Sequence, residues 1–337
     1  MASMRNVLLI GMGPTTHSAL QSLAERCRVV GVMRKVEAHD ADADPVIADA
    51  QRLGIPVFVD TSIAALRDLI RRLRPDCVVI SSFDRILPAD LIDSCPFVNV
   101  HYAPLPRYRG RATVNWAVIS GEPFTAITIH VVDHGLDTGN VLFQHPVAID
   151  RDDTVGDLYD RLNQLQRQHL GDTVVSFLDG DVGVPQAAEP PTYGCTRLPA
   201  DGEIDWSAPT ENVAALIRGL DKPYPGAFTY LNTRRLVIWR ARALDAPLDY
   251  KGRVPGRIVN VSRTEGHVDV LTGDGVLRIY EVEVEPDGRV RAAAVLRSVR
   301  ETLGLRPAEL LSRIEALERE IAWLREQALS GEKHAHI

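Results

Sequence analysis

Hydrophobic positions fall into short runs whose spacing changes along the chain. Val7-Leu8-Leu9-Ile10, Arg28-Val29-Val30-Gly31-Val32-Met33, Ile55–Phe58 and Cys77-Val78-Val79-Ile80 are apolar with little alternation, the pattern of strands buried on both faces. Between them the spacing predicts helices from about Thr15, through Ala43–Leu53 and through Ile63–Leu73, the last stopped by Pro75. Strand alternating with helix predicts an α/β domain built on a doubly wound parallel sheet. Ile127-Thr128-Ile129-His130-Val131-Val132 alternates as a strand, and Val141–Val147 returns as another. Val155, Leu158, Leu162, Leu165 and His169 then recur at helical spacing, so a long helix closes the domain.

From Gly180 to Ala200 the chain is rich in Pro and Gly and reads as a linker. Beyond it, a helix carrying Val213, Leu216 and Ile217 is followed by short β-runs at Phe228–Leu231, Leu236–Ala241, Gly256–Val261, Val268–Leu271 and Val276–Val282, the pattern of a small β-barrel. In the tail Leu310, Ile314, Leu317, Ile321 and Leu324 step by four, three, four, three, a coiled-coil seam with Ile at a and Leu at d. The expected division is a catalytic α/β domain over 1–180, a linker over 181–203, a β-barrel domain over 204–304, and a coiled-coil helix and tail over 305–337. Ile at a with Leu at d predicts a parallel homodimer; the alternative is an amphipathic helix folded back on its own β-domain.

At 337 residues, with 45% hydrophobic and 25% charged residues, the chain is an ordinary globular protein of two domains. A net charge of −7 gives a nucleic-acid partner no global electrostatic support. Cys27, Cys77, Cys95 and Cys195 are far apart and form no metal-binding pair, so they read as reduced core thiols. No apolar run is long enough to span a bilayer, and Met1-Ala2-Ser3-Met4 has no apolar leader. The expectation is a cytoplasmic protein with no membrane partner.

The candidate chemistry centres on Phe97-Val98-Asn99-Val100-His101-Tyr102-Ala103-Pro104-Leu105-Pro106. Pro104 and Pro106 end the strand, so Asn99 and His101 sit on one side of it at its carboxyl end, where open α/β sheets bind ligands. An amide can donate to a developing oxyanion, and an imidazole can take a proton near neutral pH. A strand end with a satisfied Asn and a structural His is the plain alternative. Gly11-Met12-Gly13 lacks the third glycine and the later acid of a dinucleotide loop, and reads as a turn packing a helix near a sheet. The Phe83–Leu87 loop, at another strand's carboxyl end, could wall a flat ligand or cap the sheet. His101, His130, His134 and Asp137 could form a metal site, but His130 lies inside a strand, and no metal is expected. No Gly-x-Ser-x-Gly nucleophile motif occurs.

Asn99-x-His101, Leu105-Pro106 with Arg109-Gly110-Arg111, Trp116 with Gly121-Glu122, and Gly135-Leu136-Asp137-Thr138-Gly139 stand together in this order. The set resembles the N10-formyltetrahydrofolate-dependent formyltransferase family. The resemblance continues at Ile204-Asp205-Trp206, Leu216-Ile217-Arg218 and Tyr224-Pro225-Gly226-Ala227-Phe228, covering roughly Asn6 to Leu305. In look it is nearest to the amino-sugar formyltransferases, such as the half-enzyme acting on UDP-4-amino-4-deoxy-L-arabinose. One departure is Ala103-Pro104-Leu105-Pro106, where the family often has Ser-Leu-Leu-Pro.

The resemblance implies a Rossmann-like domain, an OB-like C-terminal domain and N10-formyltetrahydrofolate as cosubstrate, without a metal. It implies that Asn99, His101 and Asp137 are catalytic: Asn99 donates to the formyl oxygen, His101 takes the amine's proton, and Asp137 supports the imidazolium. It places the pterin against Phe83, Arg85, Ile86 and Leu87 and against Asp133 and Leu136, and gives Arg109 and Arg111 to an anionic part of the acceptor. The alternative for the two arginines is loop salt bridges. The branch acting on initiator methionyl-tRNA carries a long basic loop after the second strand. The corresponding segment here, Met33 to Asp44, is short and acidic, so the expected acceptor is a small primary amine. A nucleotide-linked amino sugar comes first, hydroxyornithine or another natural-product amine and methionyl-tRNA follow, and a folate-binding regulatory module is the non-enzyme reading.

Overall fold

The computed structural model describes residues 4–35, 44–305 and 307–332. The acidic segment expected to disfavour tRNA falls mostly on 36–43, outside the described residues. Two compact units are present: Met1–Asp201 with Arg218–Pro225, and Gly202–Ile217 with Gly226–Ile337.

The first unit contains β1 (Asn6–Gly11), α1 (Thr15–Arg26), β2 (Arg28–Met33), α2 (Pro45–Arg52), β3 (Val57–Phe58), α3 (Ile63–Leu73), β4 (Cys77–Ser81), α4 (Ala89–Ile92), β5 (Phe97–His101), β6 (Arg109–Gly110), α5 (Thr113–Ile119), β7 (Phe124–Val131), β8 (Val141–Ala148), α6 (Val155–Leu178) and β9 (Tyr193–Gly194). Seven strands form one sheet in the order β3-β2-β1-β4-β5-β7-β8. The first five run parallel, as the strand–helix alternation predicts. The parallel sheet expected from that alternation holds over these five strands, and beyond them β5–β7 and β7–β8 pair antiparallel. The loop joining β7 to β8 is too short for the crossover that parallel neighbours need.

Side-chain alternation along each strand feeds two cores. Val7 and Leu9 of β1, Val79 of β4 and Val98 of β5 pack with Leu20, Leu23, Leu158 and Leu162 of α1 and α6. Leu8, Ile10, Val78, Ile80 and Phe97 face the other way, onto Leu66, Leu69 and Ile70 of α3. Burying both faces explains why these strands show no polar side in sequence. The helix starts are equally local. The Ser62 hydroxyl accepts from Ala65 N at 3.2 Å, and Thr154 with Asp157 forms a capping box at the start of α6. Cys27, Cys77 and Cys95 are buried thiols, whereas Cys195 is exposed, so the reading of all four as core residues fails there.

The second unit holds a 3₁₀ turn at Pro199–Gly202 shared with the first, most of α7 (Thr210–Gly219), β10 (Ala227–Leu231), β11 (Arg234–Ala243), β12 (Ile258–Val261), β13 (Val268–Leu271), β14 (Val276–Val284), β15 (Gly288–Arg291), α8 (Ala292–Val295) and α9 (Pro307–Glu332). Its strands form one antiparallel sheet, β10-β11-β14-β13-β12, with β15 on β14. Leu236, Ile238, Val268, Val270, Leu277 and Ile279 fill its interior. In α9 the seam residues Ile314, Leu317, Ile321 and Leu324 are exposed at 45–53%, so the helix does not lie folded with this face on its own sheet.

Candidate active site

Asn99 and His101 end β5, and His130 lies directly across from Asn99 in the register of β5 with β7. The backbone beyond His101 is pinned, with the Thr113 hydroxyl donating to Tyr102 O at 2.8 Å and that of Thr128 to Ala103 O at 2.6 Å. Tyr108 takes a left-handed backbone, φ 56°. His101 Nε2 lies 2.8 Å from the Tyr108 carbonyl oxygen. That nitrogen therefore carries the hydrogen of the neutral ring, and Nδ1 is the position open to a proton. Nδ1 faces Asp137 Oδ2 at 3.8 Å.

Asp137 reaches this point from the loop after β7. Its φ of 52° is left-handed, a strained state for a non-glycine residue. Gly139 permits the turn, since a Cβ there would meet the Val131 carbonyl oxygen at 1.9 Å. The Gly110 N–H donates to Asp137 Oδ2 at 2.8 Å, and Asn99 Nδ2 donates to Oδ1 at 3.4 Å. Burial alone would raise the Asp137 pKa. The charge available on His101 and the Gly110 N–H outweigh it and hold the carboxyl well below the usual range. Burial pushes His101 down from the ordinary imidazole value, and the Asp137 charge opposes that shift only in part. The outcome is a neutral, buried base beside a fixed negative charge, an arrangement able to take a proton and pass it on.

The structure thus brings Asn99, His101 and Asp137 together and adds two groups that sequence reasoning missed. His130 Nε2 lies 3.1 Å from Asn99 Nδ2 and 3.5 Å from Asp137 Oδ1. Gln186, inside the expected linker, donates from Nε2 to the carbonyl oxygens of Asp137 and Gly139 at 2.7 and 3.0 Å. The cross-strand place of His130 was readable only with the β5–β7 register in hand. No local pattern marks Gln186.

The remaining predicted residues separate. Arg109 is engaged, donating to Gln186 Oε1 at 2.7 Å, while Arg111 is exposed. Parallel pairing of β6 with β9 sets Arg109 beside Tyr193, and Trp116 Nε1 donates to Cys195 O at 2.7 Å with Arg197 stacked on its ring. Ile86 is 88% and Leu136 53% exposed, and Arg85 is exposed too, whereas Phe83 and Leu87 pack partly on the α3-side core. Asp133 Oδ1 accepts from Gly135 N at 3.0 Å and from the Thr138 hydroxyl. His134 pairs instead with Asp93; among the described residues no three acids, histidines or cysteines are arranged to hold a metal.

A formyl transferase model matches residues 34–174, and the formyl transferase C-terminal domain matches 198–300. Methionyl-tRNA formyltransferase of Citrifermentans bemidjiense is 31% identical across 94% of this chain and 99% of that one. The chain belongs to the formyltransferase family. The same-named enzyme of Acetivibrio thermocellus is 35% identical over 72% of this formyltransferase and 75% of its own length. Among solved structures, the sugar 3N-formyltransferase WlaRD aligns with TM-score 0.59 at 17% identity, over 85% of this chain and 99% of that one. HypX from Aquifex aeolicus, solved with tetrahydrofolic acid, aligns with TM-score 0.62 at 16% identity over 88% of this chain. The formyltransferase spans about half of HypX, 47% of its length. At these identities the two structures speak for the fold. The family expected from the motifs is the one found.

Proposed function

We propose that this formyltransferase moves the formyl group of N10-formyltetrahydrofolate to the primary amine of a small acceptor, with a nucleotide-linked amino sugar first among candidates. The observation that carries the chemistry is the convergence of the Asn99 amide, the open Nδ1 of His101 and the Asp137 carboxylate at one strand end. The cosubstrate supplies the formyl carbon. Ile86 and Leu136, both apolar and exposed, suit the face of a flat ring, with Phe83, Arg85 and Leu87 on the loop of the first and Asp133 on the loop of the second. As the neutral amine attacks, Asn99 donates an N–H to the formyl oxygen, where negative charge grows. His101 takes the amine's proton on Nδ1 and returns it to N10 as the tetrahedral adduct collapses, the bond from the formyl carbon to N10 breaks and tetrahydrofolate leaves. Asp137, ionised throughout, stabilises the imidazolium 3.8 Å away. Proximity of the two bound substrates supplies the rest.

For the acceptor, Arg111 is the exposed cation of the predicted pair, and Arg197 on Trp116 adds a second charge to the same stretch, suited to a diphosphate or carboxylate. The acidic segment Met33–Asp44 and the overall charge of −7 would repel tRNA phosphates. The second reading, formylation of initiator methionyl-tRNA, is favoured by curated relatives at 31–35% identity. A panel of UDP-4-amino-4-deoxy-L-arabinose, a dTDP-linked amino sugar, N5-hydroxyornithine and initiator methionyl-tRNA, each with N10-formyltetrahydrofolate, separates these readings. The proposal expects tetrahydrofolate release fastest with an amino sugar; methionyl-tRNA at an efficiency rivalling the best small amine overturns it.

The same reading assigns catalysis to 1–180, an OB-like barrel to 204–304, and a cytoplasmic homodimer to the helix over 305–337. In a parallel pair, Arg313 of one helix meets Glu318 of the other and Glu320 meets Arg325, so both flanking pairings attract. Such exposed pairs set register more than they supply stability; burial of the exposed Ile and Leu seam drives association.

A further inference from the structure

We propose that His130 is the positioning residue that sets which way the Asn99 amide points. The inference rests on the reading of Asn99 as the donor to the formyl oxygen. His130 is 2% exposed, with Nδ1 at 2.9 Å from the Val131 carbonyl oxygen. A carbonyl can only accept, so Nδ1 carries the ring hydrogen, and Nε2 of the neutral ring is an acceptor. Nε2 lies 3.1 Å from Asn99 Nδ2. Only the amide's NH2 end satisfies that acceptor; turned over, its oxygen would oppose both the Nε2 lone pair and the Asp137 carboxylate. The backbone carbonyl of Val131 thus selects the tautomer of His130, and the tautomer selects the rotamer of Asn99.

The two N–H groups of Asn99 are not equivalent. One is held by His130 at 3.1 Å, and the other reaches Asp137 Oδ1 at 3.4 Å. The longer, weaker contact is the one released to an incoming formyl oxygen. The register explains why this pair forms at all: Asn99 and His130 sit directly opposite on antiparallel strands, where side chains on one face approach each other. His130 touches no reacting atom in this scheme. It removes the alternative in which the amide presents oxygen to oxygen.

The test uses the full-length enzyme with N10-formyltetrahydrofolate and the best acceptor of the panel above. In His130→Gln the side-chain amide reaches the place of Nε2 and can accept from Asn99. In His130→Asn it reaches only the place of Nδ1. We expect His130→Asn to lower kcat about ten- to a hundred-fold with KM for the donor unchanged, since a misdirected oxyanion donor removes stabilisation made in the transition state. His130→Gln should stay within about threefold of wild type, and His130→Asn combined with Asn99→Ala should be no slower than Asn99→Ala alone. Wild-type kcat in His130→Asn, equal impairment of the Gln and Asn variants, or multiplying losses in the double variant overturns the inference. If Asn99→Ala itself keeps normal turnover, it is the role of Asn99 that fails. A readout independent of turnover is the ¹⁵N spectrum of histidine-labelled wild type: His130 protonated on Nδ1 supports the assignment, and protonation on Nε2 refutes it.

Discussion

Gln186 holds Asp137 in its left-handed turn, and Gln186→Glu is the sharpest probe of that support. The carboxamide makes three bonds: two donated to the carbonyl oxygens of Asp137 and Gly139, at 2.7 and 3.0 Å, and one accepted from Arg109 Nη2 at 2.7 Å. Glutamate keeps the shape and the bond to Arg109 but turns both donated bonds into oxygen–oxygen contacts. Two neutral bonds are worth about 2 kcal/mol together, and a left-handed non-glycine residue costs about 1–2 kcal/mol to hold. The loss therefore matches the strain it restrains, and Asp137 should leave the turn. At about 1.4 kcal/mol per tenfold, the competent loop falls by one to two orders of magnitude. Steady-state kinetics should show kcat down about ten- to a hundred-fold, and hydrogen exchange should show the Gly110 amide, which donates to Asp137 Oδ2, losing protection while β1 and β4 keep theirs. Gln186→Met, which removes the donors without adding charge, should fall between. Normal kcat and normal Gly110 protection in Gln186→Glu would refute the reasoning.

Two further outcomes follow from the same geometry. Burial holds His101 below the ordinary imidazole value, so the neutral base persists through neutrality and kcat/KM should fall only on an acid limb below that value. Asp137, ahead of the Tyr108 carbonyl, is the larger influence raising His101, so Asp137→Asn should move the limb to still lower pH while lowering the plateau; a limb at or above the ordinary value contradicts this. Ile314→Lys with Ile321→Lys should convert a dimer to a monomer in light scattering with formyl transfer largely retained. A monomeric wild type, or a double variant that stays dimeric, ends the coiled-coil proposal.

The parallel half of the sheet was legible because both its faces are buried, which writes unbroken apolar runs into β1, β2 and β4. The strand end at Asn99 and His101 was legible because Pro104 and Pro106 forbid continuation. The alternation of 127–132 and the return over 141–147 marked two strands, but the antiparallel direction of β7 and β8 appears only in the strand pairing. What stayed hidden depends on long-range backbone pairing. The β6–β9 ladder, the return of Arg218–Pro225 to the first unit, and the grip of Gln186 on the Asp137 loop leave no periodicity behind. His130 alternates like any strand residue, and only its register partner gives it meaning.

Single-turnover transfer by His101→Ala, with saturating N10-formyltetrahydrofolate and the best acceptor of the panel, tests the central claim most directly. The account predicts a rate lower by orders of magnitude with donor binding and thermal unfolding close to wild type, because the base is lost while the sheet that carries it remains. A near-normal transfer rate under these conditions would contradict it.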